Sequence, residues 1–265
     1  SEKAAEIMRI LYDPFTKSGA DILVMDNKSA EMCKYASNCM LAARISFMNE
    51  IANICSKVGA DVTKVRIAMG LDSRIGRRFL YSGIGYGGSC FPKDVKALAA
   101  TARENDYEPI MIDAIEKVNA KQKELLFELA KEHFQGDLKG KTFGLWGLAF
   151  KPQTDDMRDA PSQVIVKLLL EAGAKVKGYD PVAKETAKAV FGDTITYCEE
   201  AYETLKDCDA LMLLTEWNEF RVPDFPRIKE LLKQPVIFDG RNQYSPSEMK
   251  ELGFTYYSIG RPAVK

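Results

Sequence analysis

The residues best suited to chemistry lie in one stretch, Gly83-Ile-Gly-Tyr-Gly-Gly-Ser-Cys-Phe-Pro-Lys-Asp94. Its four glycines within six residues let the backbone approach a ligand closely or turn sharply. Pro92 suits the first turn of a helix, which puts Cys90 at or just before a helix amino terminus. The positive end of that helix favours thiolate over thiol. Asp94, one turn further on, is near enough to orient a water or a lysine. Glycines, cysteine and helix start together describe an activated nucleophile. They equally describe a glycine-rich turn beside a buried structural cysteine, and local chemistry leaves both readings open. A second pair, Lys34 and Asn38, sits four residues apart on one face of a long helix. If buried, both need partners, and they could donate hydrogen bonds to a developing oxyanion or a substrate hydroxyl. A solvated stripe is the alternative.

The elements that must position these groups fall into two kinds. Ala4 to Tyr12 reads as a short amphipathic helix, and Asp21-Ile-Leu-Val-Met as a strand with no neighbour to pair with. A long helix is expected from Ser29, as N-cap, to Val58, with Gly59 ending it. Its apolar residues cover nearly the full circumference, so burial in the fold or in a subunit interface is expected. Shorter helices follow at Asp61–Met69 and Pro92–Arg103, then one long helix over Pro109–Phe134. After Gly140 the pattern changes to strand-like runs at Thr142–Gly147, Ala174–Asp180, Asp209–Thr215, Pro235–Asp239 and Thr255–Ile259. Helices over Ser162–Ala172, Ala183–Phe191 and Asp224–Lys233 separate most of them. The expected fold is therefore α/β: an all-helical central domain followed by a doubly wound, Rossmann-like parallel sheet. The boundaries are 1–28 as the remnant of a preceding domain, 29–118 with a connecting helix to about 134, and 135–265.

Composition narrows the function classes. A 46% hydrophobic and 28% charged chain can bury a large core and remain soluble. A net charge of −1, evenly spread, offers no field to recruit nucleic acid or an anionic membrane. No apolar run reaches bilayer-spanning length. Six cysteines without a C-x-x-C pair read as reduced thiols of a cytoplasmic protein. The single histidine, His133, lies in a charged helical stretch and reads as a solvated surface residue. Acid–base chemistry must then run without histidine, and a zinc site, or any metal site of Cys/His type, is not expected.

Several blocks share one resemblance. Gly85–Asp94, Lys34-Tyr-Ala-Ser-Asn38, Ile45–Asn53, Asp72-Ser-Arg-Ile-Gly76, Gly147-Leu-Ala-Phe-Lys-Pro152 and Phe238-Asp-Gly-Arg-Asn242 are similar, in order, to the motifs of the UDP-glucose/GDP-mannose dehydrogenase family. Ser-Cys-Phe-Pro-Lys-Asp with Phe-Asp-Gly-Arg-Asn looks most like the branch acting on UDP-glucose; GDP-mannose is the alternative within the family. The resemblance implies an NAD-dependent, four-electron oxidation of UDP-glucose to UDP-glucuronate through a thiohemiacetal and a thioester on cysteine. It makes Cys90 the nucleophile, has Lys34 stabilise the charged oxygen, and has Asn38 and Asp94 hold the hydrolytic water. Substrate contacts would come from Lys34, Asn38, Tyr81, Tyr86, Gly87, Phe150, Lys151 and Arg241, and from Arg74 acting in the neighbouring subunit. Lys93 and Arg158 match positions that touch NAD. The apolar long helix and Arg74 imply a homodimer. The family's glycine fingerprint for the dinucleotide is not found near the start of this chain, and its general-base carboxylate is not found here either. The expectation is a fragment carrying the nucleophile and sugar-nucleotide pocket, unable to turn over UDP-sugars alone.

Overall fold

The computed structural model describes residues 1–16, 19 and 21–265, in two compact units, Ser1–Ser37 and Asn38–Lys265. In the first unit, helix α1 (Glu2–Thr16) is longer than expected and carries Pro14 inside it. The expected strand at Asp21–Met25 does not form; residues 21–26 are neither helix nor strand. The apolar run has strand propensity, but a strand requires a ladder partner and none of the sheet's strands pairs with it. Helix α2 (Asn27–Val58) starts two residues before Ser29. Its cap is Asp26, whose carboxylate accepts from the Ser29 amide at 2.9 Å, so Ser29 is inside the helix.

Within the second unit, α2 buries one face rather than its whole circumference. Cys39, Ala42, Met48, Ala52 and Cys55 are buried, whereas Met40, Phe47 and Ile54 stand 61%, 50% and 52% exposed along a seven-residue repeat. Helices α3 (Val62–Leu71) and α4 (Phe91–Glu104) follow. The expected single helix over 109–134 is two, α5 (Ile110–Gln122) and α6 (Leu125–His133), parted by a turn at Lys123 and Glu124.

The sheet comprises β1 (Thr142–Trp146), β2 (Lys175–Tyr179), β3 (Thr196–Tyr197), β4 (Ala210–Leu213), β5 (Val236–Asp239) and β6 (Thr255–Ser258), all parallel, in the order 3-2-1-4-5-6. Helices α7 (Pro161–Glu171), α8 (Lys184–Phe191), α9 (Phe225–Leu231) and α10 (Pro246–Glu251) cross between strands. Strand β3, with two residues, was too short to leave a periodic signal. Alternate strand residues separate into two cores. Phe143, Leu145, Met212 and Phe238 join Met48, Ala52, Leu126 and Ile84 of the helical region; Trp146, Leu211, Leu213 and Ile237 face the other way, toward Phe225 and Met249. Helical region and sheet thus share one apolar interior. His133 is half-buried at its edge rather than fully solvated: its Nδ1 lies 3.0 Å from the Tyr257 hydroxyl, and its ring meets Phe134, Phe238 and Tyr257 edge-on. No helix among the described residues is long and apolar enough to cross a membrane.

Candidate functional site

Strand order reverses between β1 and β4, and ligands of doubly wound folds enter the crevice at that point, outside the carboxyl ends of the strands. Gly147 leaves β1 at φ +85°, and a Cβ there would lie 2.3 Å from Thr215 Cβ, so only glycine lets the two loops pass. Asp180, after β2, fixes the next residues by accepting from the amides of Leu148 (2.8 Å) and Ala149 (3.1 Å). Asp239 ends β5 and does the same for the loop beyond it. It accepts from Arg241 N (2.8 Å), Gln243 N (2.7 Å), Tyr244 N (3.1 Å) and the Tyr256 hydroxyl (2.7 Å). Arg241 is thereby aimed across the crevice. Its Nε donates to Leu214 O at 2.7 Å and lies 3.2 Å from Glu216, and its Nη2 donates to Phe150 O at 3.4 Å.

The glycine-rich stretch is shaped by side-chain amides. Gly83 N donates to Asn49 Oδ1 (2.8 Å), and Gln122 Nε2 to Gly83 O (2.6 Å). Asn119 accepts from Tyr86 N at 2.8 Å and donates to Tyr86 O at 3.2 Å. Gly88 N donates to Arg158 O at 2.7 Å, and the Phe150 ring lies so close that a Cβ on Gly88 would be 2.7 Å from it. The loop therefore joins α2 and α5 to the segment after β1. It delivers Cys90, exposed, to the N-cap of α4, with Pro92 in the first turn and Ser89 Oγ 3.7 Å from the sulfur.

One turn on, Asp94 is 2% exposed. Its carboxylate accepts from Asn38 Nδ2 at 2.5 Å and from Lys93 Nζ at 2.5 Å. A buried carboxylate held by an amide and an ammonium beside an exposed thiol can orient a water for attack on a carbon bonded to that thiol. A cavity of about 470 Å³ opens next to it, lined by Gly88, Ser89, Lys93, Lys96, Arg158 and Asp159. Asp156 binds the Arg158 guanidinium, lowering its own titration and raising that of the arginine. Three cations stand around this mouth, each paired with a carboxylate: Lys93 with Asp94, Lys96 with Asp159 and Arg158 with Asp156.

The structure thus gathers Asn38, Gly87, Cys90, Lys93, Asp94, Phe150, Arg158 and Arg241 around one loop system. Tyr86 belongs to it through its backbone, because its phenol is buried and donates to Glu116 at 2.9 Å; burial pushes its titration well up. Lys151 is exposed, its ammonium 5.3 Å from the centre of the Phe150 ring. Tyr81 is 67% exposed under the Arg66 guanidinium, and Arg74 is exposed and paired with Asp72 at 2.6 Å. Lys34 lies in the first unit, exposed. Sequence reasoning missed Asn49, Asn119, Gln122, Asp180 and Asp239. Acids that end strands β2 and β5 were the one visible signal.

A Rossmann-like sheet with a crevice at its switch point, joined to a helical region that presents a cysteine at a helix start, defines the class: an α/β protein with a helical domain set before a doubly wound parallel sheet. Residues 28–121 match the central domain of the UDP-glucose/GDP-mannose dehydrogenase family, and residues 144–246 match that family's UDP binding domain. The chain belongs to this family. It is 48% identical to a UDP-glucose 6-dehydrogenase of Pseudomonas aeruginosa over 98% of its length, and 48% identical to the UDP-glucose 6-dehydrogenase TuaD of Bacillus subtilis over its whole length. It spans 58% and 57% of those relatives. The solved structure of a UDP-glucose dehydrogenase from the archaeon Pyrobaculum islandicum superposes with a TM-score of 0.88 at 36% identity, over 99% of this chain and 57% of that one.

Proposed function

We propose that a protein containing this chain oxidises the C6 alcohol of UDP-glucose to the carboxylate of UDP-glucuronate, with Cys90 as the covalent nucleophile. The observation that carries the reading is the buried Asn38–Asp94 pair one turn from the exposed Cys90 at the start of α4. Two molecules of NAD, bound in turn, would each supply the acceptor for one hydride. Lys93 and Arg158 at the cavity mouth are the residues of this chain that would hold it.

Cys90 thiolate adds to the aldehyde carbon of the half-oxidised substrate, forming a C–S bond and an oxyanion that Lys34 stabilises. After the second oxidation the sulfur is held as a thioester. Asn38 and Asp94 orient a water, Asp94 accepts one of its protons, the C–S bond breaks to release the thiolate, and the acid formed loses the second proton to solvent as the carboxylate. Phe150, Lys151 and Arg241 line the UDP pocket, where the planar guanidinium of Arg241 suits a diphosphate. Backbone of Tyr86 and Gly87, with Tyr81, borders the sugar.

The exposed Met40, Phe47 and Ile54 stripe of α2 supports a homodimer, in which Arg74 would reach the second copy's site. We further infer that this chain alone binds UDP-sugars without turning them over, since the relatives named for the activity are longer. The test is NADH formation from UDP-glucose. The chain alone is expected to give none, and a protein of the relatives' full length containing it is expected to give two NADH per UDP-glucose. Turnover retained after Cys90→Ala in the longer protein would overturn the covalent reading.

A further inference from the structure

Arg241 crosses the crevice on a flexible stem, so the place its guanidinium reaches depends on where its backbone is held. On one side it is held by Asp239, which accepts from the Arg241 amide at 2.8 Å. On the other stands Asn242, to which the proposed chemistry gives no role. Its backbone lies at φ +54°, in the left-handed region where asparagine is enriched. Its side-chain amide then pairs as a peptide group would in a ladder. Nδ2 donates to the Ile259 carbonyl at 2.8 Å, and Oδ1 accepts from the Ile259 amide at 2.8 Å. Serving the N–H and the C=O of one residue takes a donor and an acceptor side by side, which a carboxylate does not offer.

The residue so clasped is anchored in turn. Ile259 is buried and directly follows β6. Gly260, at φ +69°, packs so tightly on α2 that a Cβ there would lie 2.6 Å from Ala52 Cβ. Its carbonyl accepts from the Val62 amide, at the start of α3, at 2.8 Å. The clasp therefore ties the loop after β5 to the helical region as well as to the sheet. The glycine-rich lead lies alongside: Asn242 Nδ2 is 3.4 Å from Ser82 Oγ, and a Cβ on Gly83 would be 3.2 Å from Arg241 Nη1.

We propose that Asn242 is a positioning residue for the UDP pocket: its two-bond clasp on Ile259 sets the backbone of Arg241 so that the guanidinium reaches a diphosphate in the crevice. It acts through Arg241 and touches no reacting atom. The inference rests on the reading of Arg241 as a diphosphate ligand, and the experiment separates the two.

The experiment is calorimetric titration of the chain with UDP, with the urea midpoint of each variant measured in parallel. Arg241→Ala should weaken UDP about tenfold or more, the factor for a lost hydrogen bond to a charged group. Asn242→Gly, which keeps the left-handed backbone and loses the clasp, should weaken it about three- to tenfold. The double variant should bind no more weakly than Arg241→Ala alone. Gly59→Ala, destabilised far from the crevice, should bind UDP as the parent does, so that lost stability alone is not read as lost positioning. If Asn242→Gly does not fold, Asn242→Ala takes its place with the same expected weakening. Unchanged UDP affinity in the folded Asn242 variant, or losses that multiply in the double variant, would overturn the inference and leave Arg241 as a ligand. UDP bound equally by Arg241→Ala and the parent, or not bound by the parent, would overturn the pocket reading and this inference with it.

Discussion

Replacing Gly147 by alanine tests how the crevice at the switch point is built. The residue has φ +85°, and a new Cβ would stand 2.3 Å from Thr215 Cβ and 2.8 Å from Thr215 N, neither of which is the free end of a flexible side chain. Left-handed backbone costs a non-glycine residue about 1–2 kcal/mol. Overpacking against a fixed neighbour adds about 1–3 kcal/mol. The sum, about 2–5 kcal/mol, is a large share of the ~5–15 kcal/mol that holds a typical domain folded. With a urea slope of about 1–3 kcal/mol per molar, the midpoint should fall by roughly 1–2 M. Gly59→Ala is the matched control, because Gly59 has φ +72° but no atom within 4 Å of a built Cβ. It should show the backbone cost alone, about 1–2 kcal/mol. The assay is urea unfolding followed by tryptophan fluorescence, since Trp146 immediately precedes Gly147 and is buried. Equal midpoints for Gly147→Ala and Gly59→Ala would refute the claim that Thr215 blocks the position.

Other predictions concern the thiols, the histidine and the ligand. Iodoacetamide should modify exposed Cys33 and Cys90 in the native chain and spare Cys39, Cys55, Cys198 and Cys208, the last two having thiols pushed by burial up to about 11 and about 12. Cys208 labelled as fast as Cys90 would contradict the packing described. Burial lowers the His133 titration below that of the unfolded chain, so the native state binds the proton more weakly. The stability this gives is complete above about pH 6.5 and is lost as pH falls through the lowered native value. Urea midpoints at pH 7 and pH 5 should therefore differ less in His133→Gln than in the parent, and equal differences would exclude the effect. UDP-glucose at 100 times its dissociation constant should add about 2.7 kcal/mol of stability, and more than GDP-mannose at the same concentration. The reverse order of melting temperatures would move the substrate to the other branch.

What could be read from the sequence was what local chemistry decides. Pro92 after Cys90 marks a helix start wherever it stands, and α4 begins there. The strand-like runs after Gly140 became β1, β2, β4, β5 and β6. What could not be read depends on contacts distant in the chain. Asn49, Asn119 and Gln122 look like ordinary polar helix positions, yet each bonds a loop residue 33 to 39 positions away. The break between α5 and α6 falls within Lys-Gln-Lys-Glu, which has helix-forming propensity throughout. Nothing local marks Lys123 as the residue that reaches Asp159. Asp21–Met25 failed in the opposite sense: strand propensity was present and a ladder partner was not.

The bonds that shape the glycine-rich loop have a kinetic consequence. Its anchors come from α2 through Asn49, from α5 through Asn119 and Gln122, and from the segment after β1 through Arg158. Helices can form early from contacts close in sequence, whereas a parallel sheet must first close long loops. The last anchor, Gly88 to Arg158, cannot be made until sheet and helices have docked. Cys90 should therefore acquire its native surroundings at the end of folding, so that a half-assembled chain does not yet hold this thiol in its final setting.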